Sequence, residues 1–407
     1  MQRRHVMTRS EQFVYNLSKA ACLTLWTYPN PIGKDSGKEL CDVLVVCRPD
    51  VLIFSVKEIE LKTDGDLAVQ IERWKRRAVD ESVEQIYGAQ RRLEMVADVT
   101  AADGKTGVQL GPLGERKVQR IAVAIGAGGT VPLQSLDAGK GFLHVLDEDS
   151  LYLLLSELDT ITDFTEYLLG REALITANAG GGIVASEPDL LAYFLLHEHS
   201  FSPLINAKHH LTLLVGLWDD FFGSAKYKTK KSTDVDSYVW DNVITQFHDD
   251  YLDGGIEFGS ELATVDEITR VMARENRMHR RMLGDGFKSF MDRTDVQSRV
   301  VMNRNGQAHY VFLKAPHEES REDRVRDLEM RCFIARDEID KKGLTGKMVG
   351  LSTEVYEKGK GFSLDALLLD IPTWGEEQRA IARRLREDTG FFKSPEYRDQ
   401  KGSEFEP

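Results

Sequence analysis

A chain of 407 residues with a formal net charge of −13 is long enough for two domains. It is too acidic overall to hold nucleic acid through its mean field, so any such contact must come from local basic clusters or a metal ion. The hydrophobic and charged fractions, 42% and 29%, exclude a disordered chain, and no run approaches the roughly 18 apolar residues of a membrane helix.

The basic start, Met1-Gln2-Arg3-Arg4-His5, has no apolar signal core behind it, so a cytoplasmic location without a membrane partner is expected. In chain order, residues 10–21 read as a helix, with Ser10 as N-cap and Phe13, Leu17 and Ala20 or Ala21 as its apolar stripe. Residues 23–28 read as a strand stopped by Pro29-Asn30-Pro31. Residues 40–47 and 51–57 are apolar, β-branched runs separated by Arg48-Pro49-Asp50. Such a pair predicts an antiparallel hairpin at the centre of a covered sheet. Cys41 and Cys47 lie in it as small hydrophobes; with Cys22 and Cys332 they show no CxxC pair and no metal-ligand spacing.

Residues 71–97 have helical period, through Ile71, Val79, Val83, Ile86, Ala89, Leu93 and Val96. A loop (101–115), strands at 118–125 and 142–146, and helices at 148–158 and 163–169 follow. The glycine-rich stretch 176–187 reads as a linker. It divides a first domain, 1–175, from a second α/β domain, 188–407, expected to bind a partner, sense or oligomerise. There the period gives helices near 189–197, 204–222, 264–283, 322–341 and 375–385, and strands near 308–313, 347–355 and 363–371.

The chemistry centres on Asp42 and Lys57, polar residues in an otherwise apolar hairpin, where each needs a partner or a function. A four-residue loop (48–51) would set Asp42 opposite Lys57; one residue fewer would set it opposite Val56. By period 2, Ser55 and Lys57 share a face. On spacing alone, a structural Asp–Lys pair at a strand end explains them better than a divalent-metal site does.

The order helix, three strands, helix, strand over about the first 130 residues, with Asp42 early in the second strand and Lys57 on the third, resembles the αβββαβ core of the PD-(D/E)xK nuclease superfamily. Glu11 on the first helix and Gln85 on the second match further positions of that pattern. The resemblance implies a restriction-endonuclease-like fold with a mixed central sheet, and metal-dependent hydrolysis of phosphodiester bonds in DNA or RNA. It implies Mg²⁺ or Mn²⁺ held by Asp42, Glu11 and the Val56 carbonyl, with Lys57 orienting water or stabilising charge. Gln85 and the cluster Arg73, Trp74, Arg76 and Arg77 would contact nucleic acid, Trp74 by stacking on a base or else by docking its helix on the sheet. A nuclease fused to a second domain is also associated with bacterial restriction or defence.

Ser55 departs from the pattern, standing where the superfamily has Asp or Glu. Three readings follow: Glu11 compensates, Glu58 or Glu60 takes over through a strand bulge, or the domain is an inactive scaffold.

Other patterns carry less. The turn 124–129 lacks a full GxGxxG and an immediate helix, because Pro132 intervenes. His197-Glu198-His199 on a helix end would splay its two rings and reads, with His209-His210, as a polar surface. Asp219-Asp220, Asp249-Asp250 and the basic run 277–281 read as solvated helix faces.

Overall fold

Thr8 opens the first helix. In the computed structural model its hydroxyl accepts the Glu11 amide while the Glu11 carboxylate accepts the Thr8 amide, a capping box that starts α1 (Arg9–Cys22). The structure describes residues 6–33, 37–131, 133, 135–137, 139–178, 183–206, 212–252, 262–304, 306–361, 363–392 and 405. The glycine run 180–182 and His209-His210 lie outside them. The chain forms two compact units, residues 1–224 and 225–407, both mixed α/β.

In the first unit the expected strand at 23–28 is mostly a 3-10 turn, Thr24–Trp26, because Leu23 has a left-handed backbone (φ 67°) and the Thr27 hydroxyl donates back to the Leu23 carbonyl. Only β1 (Thr27–Pro29) is extended; its proline is tolerated because β1 is the sheet edge. Next come β2 (Val43–Cys47) and β3 (Asp50–Glu58), both buried almost throughout. The helical stretch after them starts earlier than expected, as α2 (Leu67–Lys75), a π-helical turn (Arg76–Asp80) and α3 (Glu81–Leu93). A short hairpin, β4 (Asp98–Thr100) with β5 (Gly107–Gln109), occupies the expected loop. Then follow β6 (Lys117–Ile125), β7 (Leu136–Asp137) and β8 (Phe142–Leu146).

The six-stranded sheet has the order β1-β2-β3-β6-β8-β7, antiparallel at β1/β2, β2/β3 and β7/β8 and parallel at β3/β6 and β6/β8. One face, with Leu44, Val46, Val51, Ile53, Ala122, Ala124, Leu143 and Val145, packs on Trp74, Ala78, Ile86, Ala89 and Leu93 of the long helix. Being apolar on both sides, β2 and β3 are central and covered, as their composition requires.

Beyond the sheet lie α4 (Glu148–Glu157) and α5 (Ile161–Ala177), with α5 longer than expected at both ends. There follow β9 (Ile183–Ala185) and α6 (Glu187–Leu196). The expected single helix over 204–222 is instead α7 (Ser202–Asn206), β10 (Thr212–Leu214), parallel to β9, and α8 (Leu217–Gly223). The unit therefore extends past the glycine-rich stretch. Glu187 ties α6 back to α5 through a bidentate ion pair with Arg171 (2.7 and 2.8 Å) and a hydrogen bond from Tyr167 (2.6 Å).

The second unit begins with α9 (Ala225–Thr233) and α10 (Ser237–Leu252). The expected helix at 264–283 is two, α11 (Leu262–Ala273) and α12 (Arg277–Asp292), broken where Asn276 caps the second. Then come β11 (Ser298–Val301), β12 (Ala308–Ala315), α13 (Arg321–Lys341), β13 (Lys347–Glu354), β14 (Leu364–Leu369) and α14 (Glu376–Thr389). The four strands form one sheet in chain order, parallel only at β12/β13, where α13 is the crossover. Among the described residues no helix is long and apolar enough to cross a membrane.

Candidate functional site

The site lies where the face toward α3 turns polar. Along β3, Val51 and Ile53 enter the core and the next two residues on that face are Ser55 and Lys57. The hairpin is tighter than either expected register. Cys47 pairs with Asp50 across a two-residue turn, Arg48-Pro49, and Val43 pairs with Phe54. Asp42 sits at a bend just before β2, and one more step of this register sets it across from Ser55, not Lys57 or Val56.

Gln85 of α3 joins the three. Its carbonyl accepts from the Ser55 hydroxyl (2.8 Å) and the Lys57 ammonium (3.0 Å), and its amide donates to Asp42 Oδ1 (3.2 Å). Asp42 Oδ2 accepts the Val56 amide (2.5 Å). Asp42 is 4% exposed and Ser55 0% exposed, while Lys57 and Gln85 are half-buried. Asp42 and Lys57 thus do not pair directly; a neutral amide stands between them. Next to Asp42, the Cys41 thiol is pushed well up by burial and then by the Asp42 and Glu39 carboxylates, which keeps it neutral.

Asp42, Ser55, Lys57 and Gln85 are therefore brought together, while Glu11 is held otherwise: it is buried in the α1 capping box, with Oε2 on the Thr8 amide at 2.8 Å. The bulge that would re-aim Glu58 or Glu60 is absent. Pairing of β3 with β6 runs residue by residue from Asp50 to Glu58, and both glutamates are exposed. The donor set for a cation is one carboxylate, the Ser55 hydroxyl and nearby backbone. That meets the lower limit for Mg²⁺, which binds through one or two carboxylates and keeps several waters. Each Asp42 oxygen retains a lone pair beyond the hydrogen bond described.

Trp74 is buried and its indole donates to the Ile59 carbonyl (2.6 Å), so it docks the helix and is not placed to stack on a base. Arg73, Arg76 and Arg77 are exposed beside it. The glycine turn after β6 is likewise structural. Gly126 has φ 101°, and a Cβ there would lie 2.5 Å from the Ile59 carbonyl oxygen, so glycine is required for the chain leaving β3 to pass.

The run 277–281 is not a solvated face. Arg277, Arg280 and Arg281 are buried, the first two on Asp241 at 2.8 and 2.6 Å. Asp219 and Asp220 are exposed in the first turn of α8. The two rings of the HEH run do diverge: His197 stacks on Tyr193, but His199 turns toward Asp163 (3.6 Å). The sequence reading passed over that pairing, although Asp163 and Glu166 stand three apart on a helix. No family model matches the chain, and no curated protein or solved structure is found to resemble it.

Proposed function

We propose that the first unit is a divalent-metal-dependent nuclease with a restriction-endonuclease-like core, hydrolysing phosphodiester bonds of DNA or RNA. The observation that carries this reading is the convergence of Asp42, Ser55, Lys57 and Gln85, from three separate segments, on the polar end of an apolar sheet face. The element order α1, β1, β2, β3, α3, β6 and the position of Asp42 and Lys57 at one end of β2 and β3 support it.

In this reading Asp42 holds Mg²⁺ or Mn²⁺ with help from the Ser55 hydroxyl and the Val56 carbonyl. The ion supplies Lewis acidity toward the phosphate. Lys57 stabilises the charge that develops on the phosphoryl oxygens. Gln85 presents the ammonium and holds it off Asp42, so neither charge is quenched by the other. Arg73, Arg76 and Arg77, exposed on the same long helix, offer phosphate contacts that offset the acidic chain. Within this proposal the second unit, whose buried charges are largely consumed in internal pairs, binds a partner, senses a signal or oligomerises, and a restriction or defence role goes with it by analogy alone.

A specific observation favours a second reading, an inactive interaction subunit. With Ser55 in place of an acid the site holds a single carboxylate, and Gln85 satisfies the remaining polar groups without any ion. Cleavage of duplex and single-stranded DNA and RNA with Mg²⁺ or Mn²⁺ separates the two. Metal-dependent cutting by the wild type and none by Lys57→Ala is the expected result; no cutting of any substrate by the wild type rejects the nuclease in favour of the subunit.

A further inference from the structure

We propose that Asp163, Glu166 and His199 form a second metal site in the first unit, one that takes a transition-series divalent ion of the Zn²⁺ class. One ligand atom from each lies within 4.8 Å of the other two. Asp163 and Glu166 are three residues apart at the start of α5 and so share a face. His199 comes from the turn that ends α6. There it adopts a left-handed backbone (φ 58°), and its amide donates to the Phe194 carbonyl at 3.0 Å.

The spacing suits a compact coordination sphere. His199 Nδ1 lies 3.6 Å from Asp163 Oδ1; two ligands of a tetrahedral Zn²⁺ at ~2.0–2.1 Å stand roughly 3.3 Å apart. Asp163 is preset for the role. It is buried, and its other oxygen, Oδ2, accepts the Thr160 hydroxyl at 2.6 Å. This is the outer hydrogen bond that orients a metal-bound carboxylate. Glu166 is exposed and His199 half-buried, which leaves the site open to solvent.

Two further facts point to a cation. His199 stands just past the carbonyl end of α6, where the helix dipole favours positive charge. The neighbouring His197 is withdrawn: its ring stacks on Tyr193 at 3.8 Å with Nδ1 2.8 Å from the Tyr193 carbonyl. Of the HEH run, only His199 is delivered to the carboxylates. One imidazole with two carboxylates suits Zn²⁺ or Co²⁺, whereas Mg²⁺ and Mn²⁺ favour oxygen ligands. The ion differs in class from the one proposed for Asp42, so the two sites are chemically separable. Bound, it would clasp the start of α5 to the end of α6.

The test uses the full chain stripped with a chelator and titrated with Co²⁺ by visible absorption, then with Zn²⁺ by calorimetry. An equimolar Co²⁺ band displaced by Zn²⁺ is expected. Glu166→Gln and His199→Gln should each weaken binding about tenfold or more, and Asp42→Asn should leave the band unchanged. Glu166→Gln alters an exposed side chain, so lost binding there does not reflect misfolding. No Co²⁺ band, or a band that both variants retain, overturns the site and leaves an Asp–His contact only. A nuclease result at Lys57 of either sign does not bear on it.

Discussion

Two buried polar clusters in this chain solve the problem of charge in opposite ways. In the second unit Asp241 takes Arg277 and Arg280 at 2.8 and 2.6 Å, and Lys230 takes Asp234 at 2.6 Å. Each charge meets its opposite, and the cluster holds α9, α10 and α12 together. In the first unit Asp42 and Lys57 face a common amide instead, and Gln85 keeps them apart. A cluster that only cements helices has every reason to neutralise itself. One that leaves an anion and a cation unquenched, joined by a neutral bridge, retains both for something else.

The contrast is sharpened or broken by mutation. The largest effect is expected at Asp241→Ala, which removes the carboxylate that the buried Arg277 and Arg280 share and should cost about 3–5 kcal/mol in urea unfolding. A loss below about 1 kcal/mol would mean that the cluster is wetter than its burial implies. Acid should act on the same pair. Burial raises the Asp241 pKa, but Arg280 and Arg277 outweigh it, and the net shift is downward. The stability it contributes is therefore present above the ordinary carboxylate value of 3.8 and lost as pH falls through the lower folded value. Asp241→Asn should flatten that acid limb.

Next in size, Lys57→Ala should lower metal-dependent cleavage by about a hundredfold or more while near-UV circular dichroism stays native. Unchanged cleavage would make Lys57 a strand-end residue and nothing more. Gln85→Ala removes the bridge, stranding polar groups at a cost of about 1–3 kcal/mol, read as a drop in the denaturant midpoint. The smallest effect is expected at Trp74→Phe, which deletes the bond to Ile59 and should cost about 1 kcal/mol without changing any affinity for nucleic acid. Weakened binding there would restore the indole as a contact.

Much of the first unit was legible because its strands are apolar on both faces and its long helix keeps a strict stripe. The hairpin register was not. Asp50, a polar residue, was assigned to the turn, but it is a buried strand residue paired with Cys47, and that shift moves Asp42 from Lys57 to Ser55. The nearness of Asp42 and Lys57 followed from the hairpin and Gln85 was implied by the resemblance, whereas Gln85 as the bridge depended on side-chain geometry that no spacing encodes. In the second unit α9 escaped notice because the segment AKYKTKKST has no apolar stripe; its Lys230 is buried beside Asp234, one turn on. The arginines of α12 misled because a buried ion pair and a wet surface have the same composition.

The π-helical turn at Arg76–Asp80 bears on how such a site changes over time. It carries an i→i+5 bond, from the Glu81 amide to the Arg76 carbonyl, and so holds one residue more than an α-turn. Deleting a residue there, such as exposed Arg77, would turn that bond into the i→i+4 bond of an α-turn and leave the helix beyond it in register. Gln85 would stay on Asp42 and Lys57 although the helix before it had lost a residue. For descendants of this chain, the loss of one codon in that turn thus leaves the site assembled, and a lineage comparison must align across the gap to recognise it.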